Sequence, residues 1–251
     1  MDYILKTVFI TLFSLMIPTN AGISDKMENI KEPVRVLLVT GGHDFDREPF
    51  YKFMGSLPGI VFTEVSHPDA MVMFRPENRA SFDVALFYDM PRTIGEQEKN
   101  DFVDCLNEGK GIVVWHHAYC SYQNWAEYQN IIGGRYHERP WTDSTGVRRP
   151  ASTFKYDVKM RVKVADPNHP ITAGISDFDI IDEAYANGVV NPDVHVLLTT
   201  DEPLSTPSIA WTNRYGNSKI VTILLGHDNK AWSNPDFAKF FVQAIVWASE
   251  K

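Results

Sequence analysis

Hydrophobic positions along the chain follow two rhythms. Val34–Thr40 (VRVLLVT) is a nearly continuous apolar run that stops at Gly41-Gly42, the form of a parallel strand buried on both faces. Asp83–Asp89 (DVALFYD) and Gly111–His116 (GIVVWH) repeat it. Between them the period changes. Across Glu96–Leu106, Phe102, Val103 and Leu106 share one helical face, charged residues fill the rest, and Gly109 follows as a terminator. Strand, helix and strand with short links predict a doubly wound α/β sheet. Val194–Thr199 and Lys219–Leu225 supply two more strands, while Lys159–Val164 alternates as an edge strand or part of an added layer would. A closing helix carries Phe237, Phe240, Phe241, Ala244 and Ala248 on one face. Arg139–Pro150, rich in charge, Gly and Pro, is the longest loop expected. No internal repeat, low-complexity tract or composition break marks a second domain.

The first residues read as a targeting signal. Lys6 precedes the apolar run Thr7–Ile17 (TVFITLFSLMI), and Thr19-Asn20-Ala21 places small residues at the −3 and −1 positions of a cleavage site. The run is shorter than the roughly 20 apolar residues a bilayer span needs. The expectation is a signal peptide over 1–21 and a single domain over 22–251. The protein would be exported, periplasmic or secreted, with no stable membrane insertion after cleavage. An uncleaved anchor is the alternative.

Composition narrows the function classes. The 251 residues carry 24 Lys+Arg against 32 Asp+Glu, a formal net charge of −8, which excludes nucleic acid as an expected partner. Cys105 and Cys120 are the only cysteines, too few for a disulfide framework or a Cys-rich zinc site. Six Trp and ten Tyr are a generous aromatic supply, of the kind that lines sugar clefts as well as cores.

The candidate chemistry lies where the histidines fall. Ligands of open α/β sheets bind outside the carboxyl ends of the strands. His43 and Asp44 follow the first strand through the Gly-Gly turn, His116 and His117 end the central strand, and His227 and Asp228 follow the last one. Three strand ends at one edge thus carry His. Glu183, in Ile181–Tyr185, adds a carboxylate suited to general base or metal-ligand work. His137, after Gly133-Gly134-Arg135-Tyr136, is a further member in a loop near that edge. His169 fits a turn, His195 a strand, and His67 is assigned no role. Gly41-Gly42-His43-Asp44 lacks the spacing of a nucleotide-binding turn.

In these segments the chain resembles the trehalose-utilisation (ThuA-like) family. The resemblance is carried by Val36–Asp44 (VLLVTGGHD), GIVVWHHA, NWAEYQNIIGGRYHERP, DPNHPITAGISDFDIIDEAY and PSIAWTNRYGNSKIVTILLGHD, with a closing helix ending in VWA. It implies a class I glutamine amidotransferase-like fold, a flavodoxin-like doubly wound parallel sheet with added strands. It also implies disaccharide use, in pathways that oxidise a sugar at C3. In that larger fold a nucleophilic Cys occupies the elbow after the central strand. Here the elbow reads Trp115-His116-His117-Ala118, and Cys120 lacks the small flanking residues an elbow needs. Glutamine amidotransferase activity is not expected, while His227 stands at the position resembling the triad histidine.

The function expected is therefore an enzyme acting on a disaccharide, glycoside or 3-keto-glycoside. His116 and His227 would transfer protons with Glu183 or Asp228, and His43, Asp44, His117, His137, Trp115 and Tyr185 would bind substrate. No cofactor is certain. A divalent metal, zinc or similar, held by His43, His116 and His227 is the second form of the chemistry. The partner is a small carbohydrate, and homo-oligomerisation is left open. The competing class is a non-catalytic sugar-binding or accessory protein, for which Trp115, Trp125, Trp141, Trp211 and Trp232 would supply stacking faces.

Overall fold

The computed structural model describes residues 32–250; the expected signal peptide lies outside them. Strands β1 (Val34–Gly41), β2 (Ile60–Ser66), β3 (Val84–Asp89) and β4 (Gly111–Trp115) are followed by β5 (Thr153–Val164), β6 (Phe178–Ala186), β7 (His195–Thr200), β8 (Ser208–Tyr215) and β9 (Ser218–Ile223). They form one sheet in the order β2-β1-β3-β4-β9-β8-β7-β5-β6.

The sheet has two halves. From β2 to β9 neighbouring strands are parallel. Every position of β3 and β4 is buried, as expected of strands covered on both faces. The expected parallel sheet is this half. At β9 the direction reverses, because β8 and β9 are joined at Gly216-Asn217 in a tight hairpin that pairs Tyr215 with Ser218. All pairings beyond it are antiparallel. Lys159–Val164 is the latter part of β5, which lies second from the end rather than at the edge. Arg139–Pro150 is not loop throughout, since Trp141–Thr142 pairs with Arg148–Arg149.

Helices cover the parallel half. On one face lie α1 (Arg47–Ser56) and the closing helix α5 (Pro235–Ser249), whose Phe53, Phe237 and Phe241 rings pack together. The apolar face expected of α5 is buried as expected. On the other lies α2 (Glu96–Asn107), with Phe102 against Phe74 and Phe87. Trp125 extends this second layer towards α3 (Ala126–Ile132), which begins at the next residue. Lys110 N–H reaches back to the Cys105 carbonyl past Gly109, which holds φ at +92°, so the glycine ends α2 as its place in the sequence indicated. Among the described residues no helix is long and apolar enough to cross a membrane.

Candidate functional site

Backbone geometry at the end of β4 sets the site. His116 follows the strand with φ at +50°, a left-handed conformation that costs a non-glycine residue about 1–3 kcal/mol. The residue in this strained turn is a histidine, and Cys120 ends the short helical turn it opens. Cys120 is buried, and burial holds its thiol well above the ordinary range, the opposite of an activated nucleophile.

Both nitrogens of the His116 ring are engaged. Nδ1 lies 2.6 Å from the Leu224 carbonyl, which only accepts, so Nδ1 carries the hydrogen. Nε2 faces a Glu183 carboxylate oxygen at 2.8 Å and the Tyr185 hydroxyl at 2.9 Å. Burial raises Tyr185 well above the ordinary phenol range, so it stays protonated. Burial also works to raise Glu183, but the His116 hydrogen bond, followed by electrostatic attraction to the neighbouring imidazoles, outweighs it and holds the carboxyl down.

Glu183 arrives from the far end of the sheet. It belongs to edge strand β6, five strands from β4, yet its side chain touches His116. The antiparallel half must curl back to bring them together, and Asp182 fixes the closure. Its enclosed carboxylate accepts N–H groups from Glu183, Gly226 and His227 at 2.8, 2.5 and 3.0 Å. Burial raises Asp182 to about 6. The loop it holds turns at Gly226, where φ is +103° and an added Cβ would fall 2.2 Å from Trp115 Nε1. Only glycine fits there.

Four side chains converge. His116, His117, Glu183 and His227 each present one ligand atom, all within 4.8 Å of one another. The ring of His117 lies 4.7 Å from that of His116 and 5.4 Å from that of His227. Burial, then repulsion from neighbouring imidazoles, keeps His117 well below the ordinary range and lowers His227 as well. Both therefore offer lone pairs at neutral pH. His117 Nε2 is buried with no hydrogen-bond partner among the described residues. Three imidazoles and a carboxylate are donors a divalent ion such as zinc takes. The His116 hydrogen bond to a backbone carbonyl is the arrangement that orients a metal-binding imidazole. The residues present fit a metal.

This set differs from the one expected. His43 is not among the four: its ring stacks on His117 at 3.9 Å, and its Nδ1 is buried and unpartnered. Gly42 presses that loop against the Met90 carbonyl, with no room for a Cβ. Asp228 caps a short helix through the Lys230 N–H, with its other oxygen 3.8 Å from His227 Nδ1. Asp44 is exposed. Trp115 cannot bind substrate as expected, because it is wholly enclosed among Phe50, Tyr88 and Phe241. Trp125, Trp211 and Trp232 are buried too, which removes most of the expected stacking faces. His137 stacks on Trp141 in a separate cavity. His169 serves a turn, accepting the Ile171 N–H at Nδ1, and exposed His195 meets Asp166 at 2.8 Å. His67, assigned no role, lies 2.7 Å from buried Asp89. Asp182 went unnoticed in the sequence, although its place beside Glu183 was a usable signal.

Residues 35–248 match the family model for trehalose utilisation, ThuA. The chain belongs to the trehalose-utilisation family. Membership connects it with a carbohydrate pathway. Among solved structures, a ThuA-like protein from Parabacteroides merdae superposes with a TM-score of 0.72 at 18% identity, over 87% of this chain and 90% of that one. A ThuA-like protein from Bacteroides uniformis gives 0.61 at 19%, over 87% and 92%. A β-galactosidase from Bacillus circulans gives 0.52 at 9%, over 85% of this chain but 30% of that one. At these identities the likeness is one of fold, and it bears out the flavodoxin-like, amidotransferase-like architecture of the family. No curated protein matches the chain.

Proposed function

We propose that this chain is an exported enzyme acting on a disaccharide, glycoside or 3-keto-glycoside, at a metal centre held by His116, His117, Glu183 and His227. The observation that carries the reading is the convergence of these four groups within 4.8 Å around a buried, unpartnered imidazole nitrogen of His117. A divalent ion bound there supplies Lewis acidity towards a sugar carbonyl or hydroxyl. The chain's own groups do the rest. His117 and His227 stay neutral and keep their lone pairs free. Tyr185 keeps its proton and can donate a hydrogen bond to an oxygen that gains negative charge. Asp182 holds the His227 loop, and the stacked His43 shields one side of His117. Asp44, exposed just after β1, would meet sugar hydroxyls. The apolar run Thr7–Ile17 supports export.

A second reading has its own observation. The His116–Glu183 contact of 2.8 Å is also that of an acid/base pair needing no metal. The decisive experiment is a screen of the mature protein on disaccharides and their 3-keto derivatives, with and without chelator. The metal reading expects turnover that chelation abolishes and a divalent ion restores. Turnover indifferent to both would leave the acid/base pair. Sugar binding with no turnover on any substrate would make the chain a binding protein.

A further inference from the structure

A cavity lies beside this centre, and none of His43, His116, His117, Glu183 or His227 lines it. It measures about 480 Å³, within the range of small-molecule sites. One aromatic layer separates the two, with Tyr136 meeting Tyr185 at 5.5 Å and Tyr185 meeting His116 at 4.8 Å.

Its charge runs against that of the molecule. The chain as a whole carries −8, yet Arg92, Arg135 and Arg139 line this cavity against the single carboxylate of Glu138. Glu138 is paired with Arg92, which leaves Arg135 and Arg139 without a carboxylate partner among the described residues. Arg135 is half-buried, and burial lowers its pKa. Its one bond among the described residues goes to the Gln123 carbonyl, a neutral acceptor. Holding a partly desolvated cation without a counter-charge costs free energy, and a planar guanidinium fork suits a carboxylate or phosphate in particular.

Part of the lining is aromatic. The rings of His137 and Trp141 stack at 4.1 Å and 6°, and His137 Nε2 and Trp141 Nε1 are buried with no partner among the described residues. Burial, then the charge of Arg135, lowers His137 to about 4, so it adds no further charge near pH 7. Trp141 is held rigidly. It opens a hairpin whose turn is tied by Asp143, which accepts from Thr145 N, Val147 N and Arg149 Nε at 2.9, 3.0 and 2.8 Å. A fixed indole beside ring nitrogens and the Asn124 amide is how a protein receives a sugar ring.

We propose that this cavity binds an anionic sugar, with its carboxylate or phosphate on Arg135 and Arg139 and its ring against Trp141. The inference does not depend on a metal at the histidine centre. The test is calorimetric titration of the full chain with glucuronate, glucose 6-phosphate, inorganic phosphate and glucose at low salt. At least one of the two anionic sugars should bind tenfold or more tighter than glucose, and which one separates a carboxylate from a phosphate ligand. Arg135→Gln should weaken that binding about tenfold or more. Arg139→Gln, at an exposed position that tolerates change, should weaken it as well. His116→Ala should leave it intact, which keeps this result distinct from the fate of the metal centre. Glucose binding as tightly as both anionic sugars would overturn the proposal. So would binding of inorganic phosphate alone, or binding unchanged in both arginine variants.

Discussion

Asp182 shows how much a single buried carboxylate contributes here. It accepts three backbone N–H groups, one from its neighbour Glu183 and two from the distant Gly226-His227 turn, so Asp182→Ala would strand those donors in the interior. The expected cost is about 3–5 kcal/mol, read as a lowered urea midpoint, with weaker metal retention because the His227 loop is released. His116 and His227 are expected to behave differently. His116→Ala and His227→Ala should stay folded, His116→Ala with a lowered melting temperature because the buried Leu224 carbonyl and Glu183 carboxylate lose their partner, and both should lose about 10²–10⁴-fold in turnover once a substrate is found. Full turnover in both variants would make the two histidines bystanders. His137 gives a pH signature. Its folded pKa is lowered to about 4, by burial first, below an unfolded value of about 6.5. Between these values the unfolded chain binds more protons, so the His137 contribution to stability is complete above about pH 6.5 and is lost as pH falls towards 4. The stability difference between wild type and His137→Gln should therefore shift against wild type between pH 7 and pH 5. A pH-independent difference in urea denaturation would contradict the assignment.

At the scale of elements, the turn after β9 is tightly constrained. Gly226 holds a positive φ and its missing Cβ leaves room for Trp115 and Phe237. Gly226→Ala is expected to cost about 2–4 kcal/mol through strain and overpacking, and to displace His227. A melting temperature within a degree of wild type would refute this. The same elements show what could be read from residues alone. The buried parallel strands were legible because two covered faces demand unbroken apolar runs, as in VRVLLVT and GIVVW. The edge strand Ile60–Ser66 was not, since its half-exposed, mixed sequence (IVFTEVS) gives no sustained period. β5 was seen only in its last residues, because its first five positions are exposed. The strand ends marked His43, His116, His117 and His227 correctly as neighbours. They did not show which imidazole would be orphaned, because that depends on the stacking of His43 over His117.

At the scale of the molecule, the site comes from joining a parallel half to an antiparallel one. The parallel strands deliver the histidines at their carboxyl ends, and the curl of the other half returns Glu183 and Tyr185 to meet them. That long-range closure leaves no periodic trace in the sequence. The chain's family membership accounts for the fold, while the chemistry rests on the four converging side chains. Metal content tests this most directly. Protein purified without chelator, or reloaded with zinc after stripping, should carry about one divalent ion per chain by elemental analysis. His116→Ala, His227→Ala and Glu183→Gln should each lose it while staying folded. Wild-type protein that retains no more metal than these variants would contradict the account.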